Sequence, residues 1–141
     1  MKNILLIIAI FTGITFSNAQ ELKSLDKFKA NFVMDSAESL GNGEYKLTAS
    51  GEAGPYGRVF INIHFTNKLN NQKGVGEFTG FAWSQVEGVI TEATLQGVTK
   101  FNGKTFTAYS FDALSDGKVM MWMGEFDFIR KTVELNVQQI E

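Results

Sequence analysis

The sequence predicts an all-β protein, a single antiparallel meander barrel of about eight strands. Turn-forming residues recur along the chain, and the segments between them alternate apolar and polar side chains with the period of two that is typical of strands. No segment between the turns has a convincing helical period. Strands joined by short hairpins, with no helix to cover them, must close or stack to bury their apolar faces. A two-sheet β-sandwich is the alternative.

The N-terminal segment differs from the rest of the chain. Lys2 precedes the apolar run ILLIIAIFTGITF, and the small residues SNA stand just before Gln20. This order resembles a secretory signal peptide that is cut after Ala19, and the apolar run is too short to favour a bilayer span. We therefore expect a signal peptide in residues 1–19 and a β-barrel domain in residues 20–141, with a retained membrane anchor as the alternative.

This interpretation predicts an exported protein, periplasmic or secreted, with no stable membrane span after signal removal. The chain contains no cysteine, so we expect no lipid attachment at a processed N-terminus. Because there is no cysteine, no disulfide can stabilise the fold, and its stability must come from the hydrophobic core.

Charge and composition exclude several classes of function. Removing residues 1–19 removes one of 13 basic residues and none of 15 acidic ones, so the net charge becomes 12 − 15 = −3. Without a basic cluster, nucleic acid is not an expected partner. The absence of cysteine and the single histidine, His64, exclude thiolate zinc sites and multi-histidine metal sites. We predict no metal and no cofactor.

Seven turns divide residues 20–141 into eight segments. Asn-Gly and Asp-Gly pairs supply the positive φ angles that tight hairpins require. The last predicted turn has no glycine. The turns are predicted at 41–43, 54–57, 70–74, 87–88, 102–103, 116–117 and 128–131.

Five segments have one apolar face and one mostly polar face. In residues 57–66, for example, Val59, Ile61 and Ile63 alternate with polar residues such as Asn62. Alternation alone does not say which face is inside, so an outer-membrane barrel with its apolar rows toward lipid is a further alternative. The other four segments of this kind are 28–34, 45–50, 89–96 and 132–137.

Three segments, 76–85, 104–114 and 119–128, place large apolar side chains on both faces. A strand with two apolar faces is typically covered on both sides. The outer cover could be the segment 21–27, a second subunit or a ligand; exposed aromatic side chains without a function are the alternative.

The strand 119–128 carries the first of two weak catalytic candidates, Glu125 and Glu77. Placing Trp122 inward puts Glu125 on the outer face, where it would be solvated or paired. Gly124 favours this orientation, because a small residue makes room for an indole in a narrow barrel. In the opposite orientation Glu125 would be buried among methionines, with a raised proton affinity suited to acid or base catalysis.

Strand and glycine patterns within residues 43–128 are similar to those of the allene oxide cyclase-like barrels, a group of the calycin-type architecture. The resemblance implies a small barrel with an apolar cavity, and often an oligomer. The group includes cyclases that shape a reactive lipid, but no catalytic constellation of theirs maps onto this chain. The patterns are GPYGRVFINIHF, GVGEFTGFAW, ATLQGV and SDGKVMMWMGEFD.

The function that the sequence favours is binding of a small apolar, lipid-like ligand, without catalysis. Methionine and aromatic side chains suit such ligands. One alternative is a cyclase- or isomerase-like enzyme on a lipid substrate; another is a structural protein that forms a homo-oligomer through a barrel face. A barrel filled by its own side chains is also compatible with the pattern. The predicted ligand-binding residues are Trp83, Tyr109, Trp122, Met120 and Phe126.

Overall fold

The computed structural model describes residues 25–70 and 73–141. The predicted signal peptide in residues 1–19 lies outside the described residues. Within them, no helix is long and apolar enough to cross a membrane. The described chain consists of strands β1 (Lys27–Gly41), β2 (Glu44–Ala53), β3 (Arg58–Thr66), β4 (Val75–Val86), β5 (Val89–Phe101), β6 (Phe106–Leu114), β7 (Val119–Asp127) and β8 (Thr132–Gln139), with one 3-10 turn, Gly54–Tyr56, between β2 and β3.

The eight strands form one closed antiparallel barrel in which each strand pairs with its neighbours in sequence. The barrel closes where β1 pairs with β8, with Ala30 opposite Leu135 and Phe32 opposite Val133. Closure leaves no unpaired sheet edge, which is how a small all-β domain avoids exposed ladder groups. The predicted meander barrel is confirmed, and a two-sheet sandwich does not form.

The turn signals correspond to the observed hairpins. Gly103 and Gly117 take φ angles of 94° and 89°, a region that L side chains rarely adopt. The turn without glycine, near residues 128–131, places Lys131 at φ 58° instead. The turn chemistry therefore predicts the strand boundaries closely.

The apolar rows of the alternating strands, such as that of β3, face the interior of the barrel. Leu47 and Ile63, for example, are only 1% and 2% exposed. The side chains of β7 follow the favoured orientation, with Trp122 and Phe126 inside and Glu125 outside. Gly124, however, makes room for the Leu135 side chain and the Glu134 carbonyl, because an added Cβ would collide with these groups.

We name the two ends of the barrel by their turns. The upper end carries the start of β1, the 3-10 turn Gly54–Tyr56 and the β4–β5 and β6–β7 turns. The lower end carries the β1–β2, β3–β4, β5–β6 and β7–β8 turns.

Candidate functional site

A cluster of aromatic rings fills the middle of the barrel. The ring of Phe78 stacks on Trp122 with centroids 5.5 Å apart, and it contacts Phe65 at 5.9 Å. Phe126 lies 5.5 Å from Phe65 and 6.2 Å from Trp122. These four residues, here called the aromatic plug, separate the upper half of the interior from the lower half.

Above the plug, the upper half of the barrel contains a cavity of about 90 Å³. Its walls are mostly apolar and come from all eight strands and the 3-10 turn. A space of this size holds several water molecules or the end of a short alkyl chain. The lining residues used below are Tyr56, Ser84, Thr91, Glu92, Ala93, Asp112, Leu114, Met120 and Trp122.

The polar part of the lining lies on one side, on β4, β5 and β6. It consists of the side chains of Ser84, Thr91 and Asp112; Glu92 borders the cavity only through its strand, since its side chain is on the exposed outer face of β5. Ser84 is 3% exposed, and its hydroxyl has no hydrogen-bond partner within residues 25–70 and 73–141. A buried hydroxyl without a protein partner is uncommon and is usually satisfied by water or a ligand.

Asp112 is the only one of these polar residues that combines a charge with burial, being 5% exposed. The indole N–H of Trp122 donates to its Oδ2 at 2.6 Å. The hydroxyl of Ser110 lies 2.5 Å from its Oδ1 and 2.9 Å from the carbonyl oxygen of Gln96. The alternation of β6 explains the position, since residues 108, 110 and 112 all face inward.

Burial raises the pKa of the Asp112 carboxyl from 3.8 to about 6, although hydrogen bonds involving Ser110, Trp122 and Gln96 oppose the rise. The Ser110 hydroxyl has a single hydrogen, which cannot serve both the carboxylate and the Gln96 carbonyl. When Asp112 is protonated it can donate to Ser110, and Ser110 can then donate to Gln96. The protonated form therefore satisfies all three groups, which is consistent with the raised pKa.

The rim of the cavity carries a second polar group. The hydroxyl of Tyr56 donates to Asp116 at 3.2 Å, and the Lys118 ammonium lies 3.8 Å from the same carboxylate. Burial, and then the Asp116 carboxylate, raise the pKa of Tyr56 to about 12, so this phenol stays neutral at ordinary pH. Lys118, the cation of the β6–β7 turn, is thus paired with an acid.

The structure separates the five predicted ligand-binding residues into two groups. Met120 and Trp122 line the upper cavity, and Phe126 lies behind them in the aromatic plug. Trp83 and Tyr109 project from the outer face and are 44% and 48% exposed. Trp83 belongs to a strand of the cavity wall, but its ring stacks outside on Phe60.

The two weak catalytic candidates do not meet in the cavity. Glu125 is exposed on the outer face of β7, directly opposite Glu134 of β8. Glu77 lies near the lower end, where its carboxylate accepts a hydrogen bond from the Lys68 backbone N–H at 3.2 Å. His64 is on the outer face of β3 and lies 3.1 Å from Glu44.

Sequence reasoning did not name Asp112 as a site residue. Asp112 shares its face with Ala108 and Ser110, and that face is inward. The opposite face of β6 carries Phe111 and Tyr109, the residue predicted to bind the ligand, and both are exposed. The small residues were the better signal, because a narrow barrel leaves little room inside for many large ones.

The lower end has a wider depression of about 540 Å³ between the turns. Aromatic rings form much of its surface, with Phe106 and Phe128 5.4 Å apart. Lys104 is its one basic residue. The upper cavity is smaller, but it enters the barrel and contains the buried carboxyl, so we regard it as the candidate site.

Within the described ranges, no three histidine or acid side chains are grouped as metal ligands. Comparisons of the chain with protein families, with curated proteins and with solved structures gave no match. The functional argument therefore depends on the site itself.

Proposed function

We propose that the protein binds a small apolar molecule in the upper cavity, with Met120 and Trp122 against its apolar part. The observation that carries the proposal is an apolar cavity beside two buried polar groups, Ser84 and Asp112, in a barrel whose middle is filled by aromatic rings. Concave apolar sites with a few polar groups are typical of small-molecule binding.

The dimensions of the cavity restrict the ligand. About 90 Å³ does not accommodate a whole long-chain lipid, so the ligand is either small or inserts only its end. Asp112 lies one inward-facing position below Leu114 at the rim. A polar head beside Asp112 would thus leave an apolar tail pointing down toward Trp122 and the aromatic plug.

A cavity-filling substitution tests the proposal. Ala93 lines the cavity and is partly exposed, so Ala93→Leu places its larger side chain in the space that the ligand would occupy. Ala113→Leu adds the same bulk on the outer face of β6 and serves as the matched control. The measurement is a titration with hexan-1-ol, followed through the indole ¹H–¹⁵N resonance of Trp122.

The proposal predicts a saturable shift of that resonance in the wild-type protein and in Ala113→Leu, with at least a tenfold weaker response in Ala93→Leu. A response that is equal in the two variants would place binding elsewhere. If none of the three proteins shows a saturable response, binding of this probe in the cavity is refuted.

A second candidate function has support from Asp112 alone. A carboxyl group with a pKa near 6 in an apolar cavity is suited to proton transfer, as a cyclase or isomerase would require. In that case the acid or base is Asp112 and not Glu125 or Glu77. Asp112→Asn should then abolish deuterium exchange into an unsaturated ketone probe while the probe still binds; undiminished exchange would refute this role.

Three further features remain proposals. The signal-like segment 1–19 supports export to the periplasm or outside the cell. The closed barrel with an apolar cavity supports membership of the allene oxide cyclase-like group. The exposed rings of Phe81 and Phe111, 61% and 49% accessible, support a homo-oligomer formed through the outer face. Light scattering on residues 20–141 tests the last proposal, and a monomer at high micromolar concentration would refute it.

A further inference from the structure

We infer that the ligand of the upper cavity carries an amine, bound as an ammonium ion by the Asp112 carboxylate, and that fatty acids are excluded. The inference rests on the proposed function, because it specifies the head group of the molecule that the cavity would hold. Three observations support it: the described cavity lining has no basic side chain, the Asp112 carboxylate keeps an unused acceptor site, and Asp112 lies above an apolar floor.

The ionisable side chains at the cavity are Tyr56 at the rim and Asp112 inside; Glu92 belongs to a wall strand, but its side chain is on the exposed outer face of β5. Neither Tyr56 nor Asp112 can become positively charged. Lys118, on the β6–β7 turn at the rim, is paired with Asp116 and lies over the Tyr56 ring at 5.7 Å. A ligand carboxylate would therefore meet the Asp112 carboxyl and no basic side chain among the described lining residues, whereas an ammonium ion would find an acceptor.

The Asp112 carboxylate retains capacity for such a donor. An ionised carboxylate has about four acceptor sites; Ser110 and Trp122 occupy one on each oxygen, and a hydrogen bond with the Gln96 backbone takes a third, which leaves one for a ligand. Hydrogen bonds between an ammonium ion and a carboxylate are roughly twice as strong as neutral ones. In a mostly apolar cavity they also compensate for the burial of the acid, which no basic side chain of the described lining does.

The cavity holds the polar head and the apolar tail of a ligand at different depths. Asp112 pairs in register with Met120, close to the upper end, and Trp122 lies one inward position deeper. An ammonium at Asp112 can extend its alkyl chain down to Trp122, and the Ser84 hydroxyl two strands away remains available to a second polar group. A linear primary amine of about six carbons fits this order of polar rim and apolar floor.

Binding should depend on pH, since an ammonium ion requires the ionised carboxylate. Among the described residues, the other charged groups at this end lie outside the barrel interior, on exposed faces, turns or chain ends: Asp26, Lys27 and Lys29 at β1, Glu52 on β2, Arg58 on β3, Glu87 on the β4–β5 turn, Glu92 on β5, Asp116 and Lys118 on the β6–β7 turn, and Glu141. With its pKa near 6, Asp112 is ionised at pH 7.5 and mostly protonated at pH 5. The affinity for an amine should fall about tenfold between these values.

The experiment compares n-hexylamine, hexan-1-ol and hexanoate at pH 7.5 by the Trp122 indole resonance. We expect hexylamine to bind at least tenfold more tightly than the other two, and to lose this advantage in Asp112→Asn. Hexan-1-ol binding should change less than threefold in that variant. Glu125→Gln, which removes an acid from the outer face, is the matched control and should leave all three affinities unchanged.

The outcomes separate the inference from the proposed function. Saturable hexan-1-ol binding with no preference for hexylamine would overturn the amine and leave the cavity as a binding site. Tight hexylamine binding that persists in Asp112→Asn would overturn the role of Asp112. If none of the probes binds, both the inference and the proposed function are overturned. If Asp112→Asn does not fold, the pH series on the wild-type protein decides, and an affinity that does not fall by pH 5 contradicts the inference.

Discussion

Asp112→Asn should stabilise the empty protein at neutral pH, by an amount that grows as the pH rises. The raised pKa means that the folded protein binds a proton more tightly than the unfolded chain does. The carboxyl therefore stabilises the fold at low pH, relative to its ionised state, and this contribution is lost as the pH rises from about 4 to 6. Asparagine imitates the protonated acid, because its amide can donate to Ser110 and its oxygen can accept from Trp122.

The magnitude follows from the pKa shift. A rise from 3.8 to about 6 corresponds to about 3 kcal/mol in total, of which about 2 kcal/mol is lost between pH 4 and pH 7.5. Urea unfolding at pH 4 and pH 7.5 gives the free energy of unfolding of the wild-type protein and of the variant. The effects of the other carboxyl groups largely cancel when the variant is compared with the wild-type protein at the same pH. Glu125→Gln is the control.

The result that would refute this reasoning is a difference that stays constant with pH or changes in the opposite direction. A variant that becomes less stable than the wild-type protein above pH 6 would mean that Ser110 and Trp122 stabilise the carboxylate by more than burial destabilises it. In that case Asp112 would be ionised in the empty cavity even at low pH.

Two further predictions concern stability. Glu125→Gln should change the free energy of unfolding by less than about 0.5 kcal/mol, because Glu125 is exposed. The change should be a slight gain, because the variant loses the repulsion between Glu125 and Glu134. A large loss of stability in urea unfolding would contradict the outward position of Glu125. Gly97→Ala should cost about 1–3 kcal/mol or more, because the new Cβ would lie 2.9 Å from the Phe78 ring and against the Tyr109 carbonyl. An unchanged thermal midpoint would show that β5 and β6 can separate without cost.

The fold was predictable because turn chemistry and alternation agree along the chain. Asn-Gly at 102–103 and Asp-Gly at 116–117 mark hairpins at which the structure indeed turns. Alternation grouped Val59, Ile61 and Ile63 into one row of β3, and closure of the barrel turns that row inward. For β7 the favoured orientation was correct, although Gly124 makes room for Leu135 and not for the indole of Trp122. The extension of β1 beyond Met34 was harder to predict from the sequence, because the register with β2 shifts there and the side chains that follow are exposed.

The candidate site was only partly predictable. The sequence placed Met120 and Trp122 correctly, on the inward face of β7. It did not predict that Trp83 and Tyr109 are exposed on the outer face. In β4 and β6 aromatic side chains occur on both faces, so hydrophobicity does not assign the orientation. Asp112 was missed as a site residue because a charged residue normally faces water, and its burial depends on Trp122 from the neighbouring strand.

Intermolecular NOEs between n-hexylamine and the protein test the central claim most directly. The claim is that a ligand tail enters the upper cavity while its ammonium group binds Asp112. It predicts NOEs from the terminal methyl group to the ring of Trp122 and to Met120, at pH 7.5. NOEs confined to the outer rings of Trp83 and Tyr109, or none at saturating amine, would contradict it.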